Sequence, residues 1–157
     1  MPYLQRQDHK KCDELWQQAR AAIEKDGHKQ FFVVGFCWGV WKAWELGSKD
    51  DGFVSIVGFH PSIIAEKLFG RDEVELAKKQ KCPSLLLPAS NDQPNIKPDG
   101  ELVNIIKEKF GDKAQSFEFP DMVHGWITRG DINDEKVKRD NQAALEKAKA
   151  YLDSFAL

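Results

Sequence analysis

The sequence predicts a three-layer α/β/α domain built on a mainly parallel sheet. Three observations carry that reading: short apolar runs rich in β-branched and aromatic residues, amphipathic stretches at helical spacing, and strict alternation of the two along the chain. Strands that alternate with helices in this way must be joined by crossovers, which makes them parallel. The first element is a helix over residues 8–26, where Cys12, Leu15, Trp16, Ala19, Ala22 and Ile23 recur at three- and four-residue steps before the stop signal Gly27. Phe31–Phe36 is a continuous apolar run suited to a strand buried on both faces. Residues 40–46 read as a helix ended by Gly47, and Phe53–Phe59 as a second buried strand. A short charged helix over 72–79 and a strand over 84–88 follow, then a helix over 99–110 with Leu102, Ile105 and Ile106 on one side and Gly111 behind. Residues 114–119 form a weaker strand. A long helix over 133–155 closes the chain and is expected to bury Val137, Ala144, Leu145, Ala148, Tyr151, Leu152 and Phe155.

A chain of 157 residues fits one domain with a core large enough to fold alone. With 23 Lys and Arg interspersed among 25 Asp and Glu, no basic face is set aside for phosphate backbones or acidic lipids, so nucleic acid is a poor partner. The longest apolar runs fall far short of the roughly 20 residues that span a bilayer. No apolar stretch follows a basic start at the N-terminus, so no signal peptide is readable and the cytoplasm is the expected compartment. Cys12, Cys37 and Cys82 are an odd set without CxxC spacing, which argues against a disulfide framework and against a zinc site.

In open parallel sheets the ligand site lies at the carboxyl ends of the strands, and three loops there carry chemistry. Gly35-Phe-Cys-Trp-Gly39, between a strand and a helix, has the Gly-x-nucleophile-x-Gly pattern of a nucleophile elbow, whose strained turn needs small neighbours. Cys37 would sit at a helix N-terminus, where backbone N–H groups favour a thiolate; the bland alternative is a buried cysteine beside two packing glycines. The polar loop 89–98 contains Asp92, with Asn91 beside it, and the segment 120–126 contains His124. Alone, Asp92 is an ordinary turn residue and His124 a packed or capping histidine. Together they give nucleophile, acid and histidine in the chain order of the α/β-hydrolase fold, with sulfur in place of the hydroxyl.

Gly35-Phe-Cys-Trp-Gly39, His60-Pro-Ser62, Asp92 and His124-Gly-Trp-Ile-Thr-Arg129 together resemble the dienelactone hydrolase family over nearly the whole chain. The resemblance implies a Cys37–His124–Asp92 triad acting on a small-molecule ester or lactone, without metal or organic cofactor. The backbone N–H of Trp38 would be one oxyanion donor. Phe36, Trp38, Trp41 and Trp126 could line an apolar pocket or could be core. His60 stands at a strand end near the site, in a supporting or loop-anchoring position. Arg129 could bind a substrate carboxylate, as a family arginine after the histidine does. Asp121 is a rival to Asp92 as the orienting acid, and Cys12 and Cys82 read as structural.

Members of that family extend further at the N-terminus, so the second oxyanion donor has no counterpart here. Consecutive crossovers place their helices on one face of the sheet, leaving only the last helix for the other. The other face is therefore expected to be partly bare and Phe31–Phe36 to be an apolar edge, which a second copy or another chain could cover. Two further readings stand beside the hydrolase: a non-catalytic interaction subunit and a redox-reactive thiol protein.

Overall fold

In the computed structural model, which describes residues 9–155, four parallel strands lie side by side in chain order. They are β1 (Phe31–Phe36), β2 (Phe53–Phe59), β3 (Ser84–Leu87) and β4 (Gln115–Ser116). The helices are α1 (His9–Lys25), α2 (Trp38–Gly47), α3 (Ala65–Leu68), α4 (Glu73–Lys78), α5 (Glu101–Phe110), α6 (Trp126–Arg129) and α7 (Glu135–Asp153). Asp8, the first residue of the expected first helix, lies outside the described residues, as do the seven before it. Among the described residues no helix is long and apolar enough to cross a membrane.

Because side chains alternate across a strand, β2 and β3 feed two cores at once. Ile56 and Leu86 point to one face, where they meet Val40, Trp41 and Trp44 of α2, Leu76 of α4, and Leu102 and Ile106 of α5. Val57, Leu85 and Leu87 point to the other, where Phe119, Trp126, and Ala144, Ala148 and Tyr151 of α7 cover them. Two helix starts follow ordinary capping chemistry: at α4 the Asp72 carboxylate accepts from Val74 N, and at α7 that of Asp134 accepts from Lys136 N and Val137 N.

Several expectations need correction. β1 is not buried on both faces: it is the sheet edge, and Phe32, Val34 and Phe36 are 46%, 47% and 38% exposed. The last helix reaches this strip only at its end, where Phe155 meets Phe32 edge-on at 6.0 Å. The expected strand 114–119 shrinks to two residues plus a single bridge from Ala89 to Phe119, since the segment sits at the opposite edge with Phe117 exposed. Leu145 is 55% exposed, because the buried stripe of α7 runs through Asp140, Ala144, Ala148 and Tyr151, and Leu145 lies about 100° around from Ala144. On α1, Trp16 and Ile23 pack on the core while Leu15, Ala19 and Ala22 face outward, since that helix touches the sheet at its rim around Phe31 and Phe53.

The seam between α2 and the sheet is tight. A Cβ on Gly58 would stand 2.5 Å from Val40 Cγ1 and 3.2 Å from Leu86 Cδ2, both fully buried. Val40 is β-branched and has little rotamer freedom with which to yield. Gly58→Ala is therefore expected to destabilise the fold by about 1–3 kcal/mol, read as a lower urea midpoint at unchanged slope; an unchanged midpoint would show that the seam is loose.

Candidate active site

The strand register brings the four relevant chain segments together at the carboxyl ends of the strands. Phe36 pairs with Phe59, Phe59 with Leu87, and Ala89 with Phe119. Ladder bonds continue past the strand ends: Cys37 N donates to Phe59 O at 3.1 Å, and His60 N to Leu87 O at 2.9 Å. The residues following β1, β2 and β3 are thus fixed before their side chains interact at all.

Cys37 has φ 52° and ψ −122°, a conformation costly for any residue with a Cβ. It joins β1 directly to α2, and its carbonyl accepts from Val40 N and from Ser62 N, both at 3.2 Å. Of the two glycines in the pentapeptide only Gly35 is sterically demanded: a Cβ there would stand 3.0 Å from Val40 N, whereas one on Gly39 meets nothing within 4 Å.

Cys37 Sγ lies 3.0 Å from His124 Nε2, and His124 Nδ1 lies 2.6 Å from Asp92 Oδ1. The other carboxylate oxygen of Asp92 accepts from Ala89 N at 2.7 Å, which locks the acid against the end of β3. Asn91 fixes the histidine loop from outside, its Oδ1 accepting from His124 N at 2.7 Å. Asp121 is no rival for the imidazole, because it pairs at the surface with Arg139 and Lys136. Ser62 Oγ stands 3.5 Å from both Cys37 Sγ and His124 Nε2. Sequence reasoning quoted Ser62 within a motif but gave it no part in the site; no spacing rule links it to residues 37 and 124.

These contacts polarise the pair. The Cys37 thiol is held down to about 5, chiefly by the hydrogen bond with His124, then by His60, with burial opposing both and Ser62 and the Trp38 backbone N–H adding to the shift. His124 is raised to about 9, chiefly by Asp92 and then by Cys37. Between those two values the site is a thiolate–imidazolium pair. Cys82 shows the contrast, since burial without a partner pushes its thiol up to about 12.

The remaining expected residues are placed as follows. Phe36 stacks on Phe59 with centroids 5.0 Å apart and leans toward His60, so it stands at the site's open side. Trp126 is buried against Phe119 in the second core, and Trp41 is wholly buried with Nε1 donating to Glu66. Trp38 packs on Trp41. Arg129 is exposed, and its Nη2 donates to the His124 carbonyl at 3.5 Å. A cavity of about 350 Å³ beside the histidine loop is lined by His124, Trp126, Arg129 and Lys136, but Cys37 is not among its walls. His60 is 1% exposed at φ 38°, with no polar group in good hydrogen-bond geometry to either ring nitrogen, although the ring is near enough to Cys37 to hold its thiol down.

A parallel sheet that presents a sulfur, an imidazole and a carboxylate from successive strand ends defines an α/β-hydrolase type of architecture. The chain belongs to the dienelactone hydrolase family, whose sequence profile matches residues 2–156. A solved structure from Klebsiella pneumoniae subsp. pneumoniae, described only provisionally as a dienelactone hydrolase, has a similar fold at TM-score 0.57 and 15% identity; the likeness covers 79% of this chain and 52% of that one. The chain thus spans about half the length of that structure. Among curated proteins none matches this sequence.

The polarised pair makes a direct prediction for reactivity. Alkylation of Cys37 by iodoacetamide, followed by mass spectrometry, is expected to titrate at about 5 in the intact chain and to move toward about 8.5 in His124→Ala. A native Cys37 that titrates like a free thiol would remove the ion pair.

Proposed function

We propose that this chain hydrolyses carboxylic esters or lactones, with Cys37 as nucleophile, His124 as acid and base, and Asp92 as the group that orients His124. The observation that carries the reading is the unbroken line from Sγ to Nε2 at 3.0 Å and from Nδ1 to Oδ1 at 2.6 Å. Family membership supports a hydrolase in general; the triad is supported by the contacts among Cys37, His124 and Asp92.

The chemistry balances through these groups alone. The thiolate attacks the carbonyl carbon, the C=O electron pair moves to oxygen, and the Trp38 backbone N–H at the start of α2 is placed to stabilise that charge. Collapse expels the alkoxide, which takes the proton from His124 Nε2 and leaves a thioester on Cys37. A water molecule then gives a proton to His124 as its oxygen attacks the thioester, which releases the carboxylic acid and restores the pair. Asp92 keeps Nδ1 protonated throughout, so Nε2 faces the sulfur in both half-reactions. Phe36 at the open side is the apolar surface best placed to meet an acyl group, while Arg129 offers a cation outside the histidine loop.

The interaction-subunit reading draws on a separate observation, the exposed strip of Phe32, Val34 and Phe36. The same assay separates the two. Turnover of p-nitrophenyl acetate is expected to fall to background in Cys37→Ala and by roughly 10²–10⁴-fold in His124→Ala, with an acetylated Cys37 detectable by mass spectrometry when the native reaction is quenched. Equal rates in the parent and in Cys37→Ala would leave the interaction reading standing.

The pH dependence of kcat/KM follows from the ion pair. Below about 5 the thiol is protonated and the nucleophile is lost; above about 9 the imidazolium loses its proton and the leaving group has no acid. A bell-shaped profile with limbs near those values is expected. A rate that climbs steadily through pH 9 would mean that attack, and not proton delivery, is the only demand on the site.

A further inference from the structure

His60 has no part in the mechanism above, yet its position is costly. It is all but fully buried, its backbone sits at φ 38°, and apart from the pull it exerts on the Cys37 thiol neither ring nitrogen has a partner in hydrogen-bond geometry. A buried imidazole whose nitrogens are not fully hydrogen-bonded forfeits about 1–3 kcal/mol for each unmet polar group, so a native structure that retains one calls for a reason. The reason offered by the geometry is next door. The His60 ring lies edge-on to that of His124 with centroids 5.0 Å apart, and one ligating atom from each of Cys37, His60 and His124 falls within 4.8 Å of the others. Among the described residues this is the one such grouping of three.

We propose that Cys37, His60 and His124 form a three-ligand site for a thiophilic divalent cation, Zn²⁺, whose binding caps the nucleophile and reversibly blocks the chain's hydrolase activity. The donor set, one thiolate and two imidazoles, suits tetrahedral zinc with a fourth position open to water. Bond lengths near 2.3 Å to sulfur and 2.0–2.1 Å to nitrogen put tetrahedral ligand atoms about 3.3–3.6 Å apart. The Sγ–Nε2 pair at 3.0 Å opens slightly to reach that span, and the longest separation in the trio closes by at most about 1.5 Å. Asp92 already holds His124 Nδ1, which is the outer-shell carboxylate that a zinc-bound histidine usually has. On binding, the sulfur and both imidazoles donate lone pairs to the metal, and the proton shared by Cys37 and His124 leaves to solvent. With its lone pair committed, sulfur no longer attacks a carbonyl.

The block rests on the ester-hydrolase reading, whereas the metal site does not, and the test separates them. Co²⁺ added to the reduced, metal-free chain is expected to give a thiolate-to-cobalt charge-transfer band and the intense visible bands of a four-coordinate ion, both displaced by Zn²⁺. The bands should vanish in Cys37→Ala, and His60→Gln should bind at least about tenfold more weakly. Silence in the parent, or equal affinity in His60→Gln, overturns the site. Should His60→Gln fail to fold, X-ray absorption on the zinc-loaded parent decides: one sulfur and two imidazoles support the site, and fewer than two imidazoles overturn it. Loss of p-nitrophenyl acetate turnover with Zn²⁺ and its return with EDTA support the block, and unchanged turnover at full occupancy overturns it. A metal-free parent with no turnover counts against the hydrolase reading alone, while the cobalt spectrum still decides the site.

Discussion

The strained backbone at Cys37 is the constraint on which the site depends. A residue with a Cβ held at positive φ costs about 1–3 kcal/mol and persists only where its surroundings leave no alternative. Here they leave none. On one side β1 is tied to β2 by a ladder that runs on to Cys37 N; on the other, α2 begins at the next residue and is anchored by Val40, Trp41 and Trp44, all fully buried. Burying one such side chain contributes about 1.5–3 kcal/mol, so the helix alone outweighs the strain of the turn several times over. Gly35 and Gly58 let α2 approach the strands closely enough for this to work.

The electrostatics follow from that placement. Burial on its own raises a thiol, as Cys82 shows; Cys37 goes the other way because hydrogen-bond donors converge on it from beyond the ends of β2 and β4 and from the start of α2. Asp92 does for His124 what His124 does for Cys37, stabilising the charged form of its neighbour. Each link is short and the acid is locked by Ala89 N, so the chain of charges is held by the sheet and not by mobile side chains. Removing any one member leaves its neighbour facing a partly buried charge without compensation.

What could be read from the sequence was local. The runs Phe31–Phe36 and Phe53–Phe59, the Gly-x-Cys-x-Gly turn, and the order Cys37, Asp92, His124 are all visible without coordinates, because each depends on neighbours in the chain or on the topology that strand–helix alternation enforces. What could not be read depends on where elements stop touching. Leu15 and Leu145 have the spacing of core residues and are exposed, Leu15 because α1 meets the sheet only at its rim and Leu145 because it lies off the buried stripe of α7. Glu45 and Glu66, charged and buried, owe their place to Lys42, Arg71 and Trp41, partners that no pattern pairs with them. The search for metal ligands by cysteine spacing passed over His60 for the same reason: its neighbours at 37 and 124 are adjacent only across the ends of the sheet.

Reactivity and recognition therefore rest on different parts of the molecule. The line from Cys37 to Asp92 is assembled by loops after β1, β3 and β4, with His60 and Ser62 supplied from the end of β2, so its geometry is held by the pairing of β1 with β2, β2 with β3 and β3 with β4. In the proposed hydrolase, recognition of an acyl group falls instead to Phe36, on an edge strand where Phe32, Val34 and Phe36 are exposed. A surface of that kind discriminates by apolar shape, where one methylene is worth only about 1–3 kcal/mol. On that reading selectivity varies with whatever lies against β1, while the pairing of the four strands holds sulfur, imidazole and carboxylate in line.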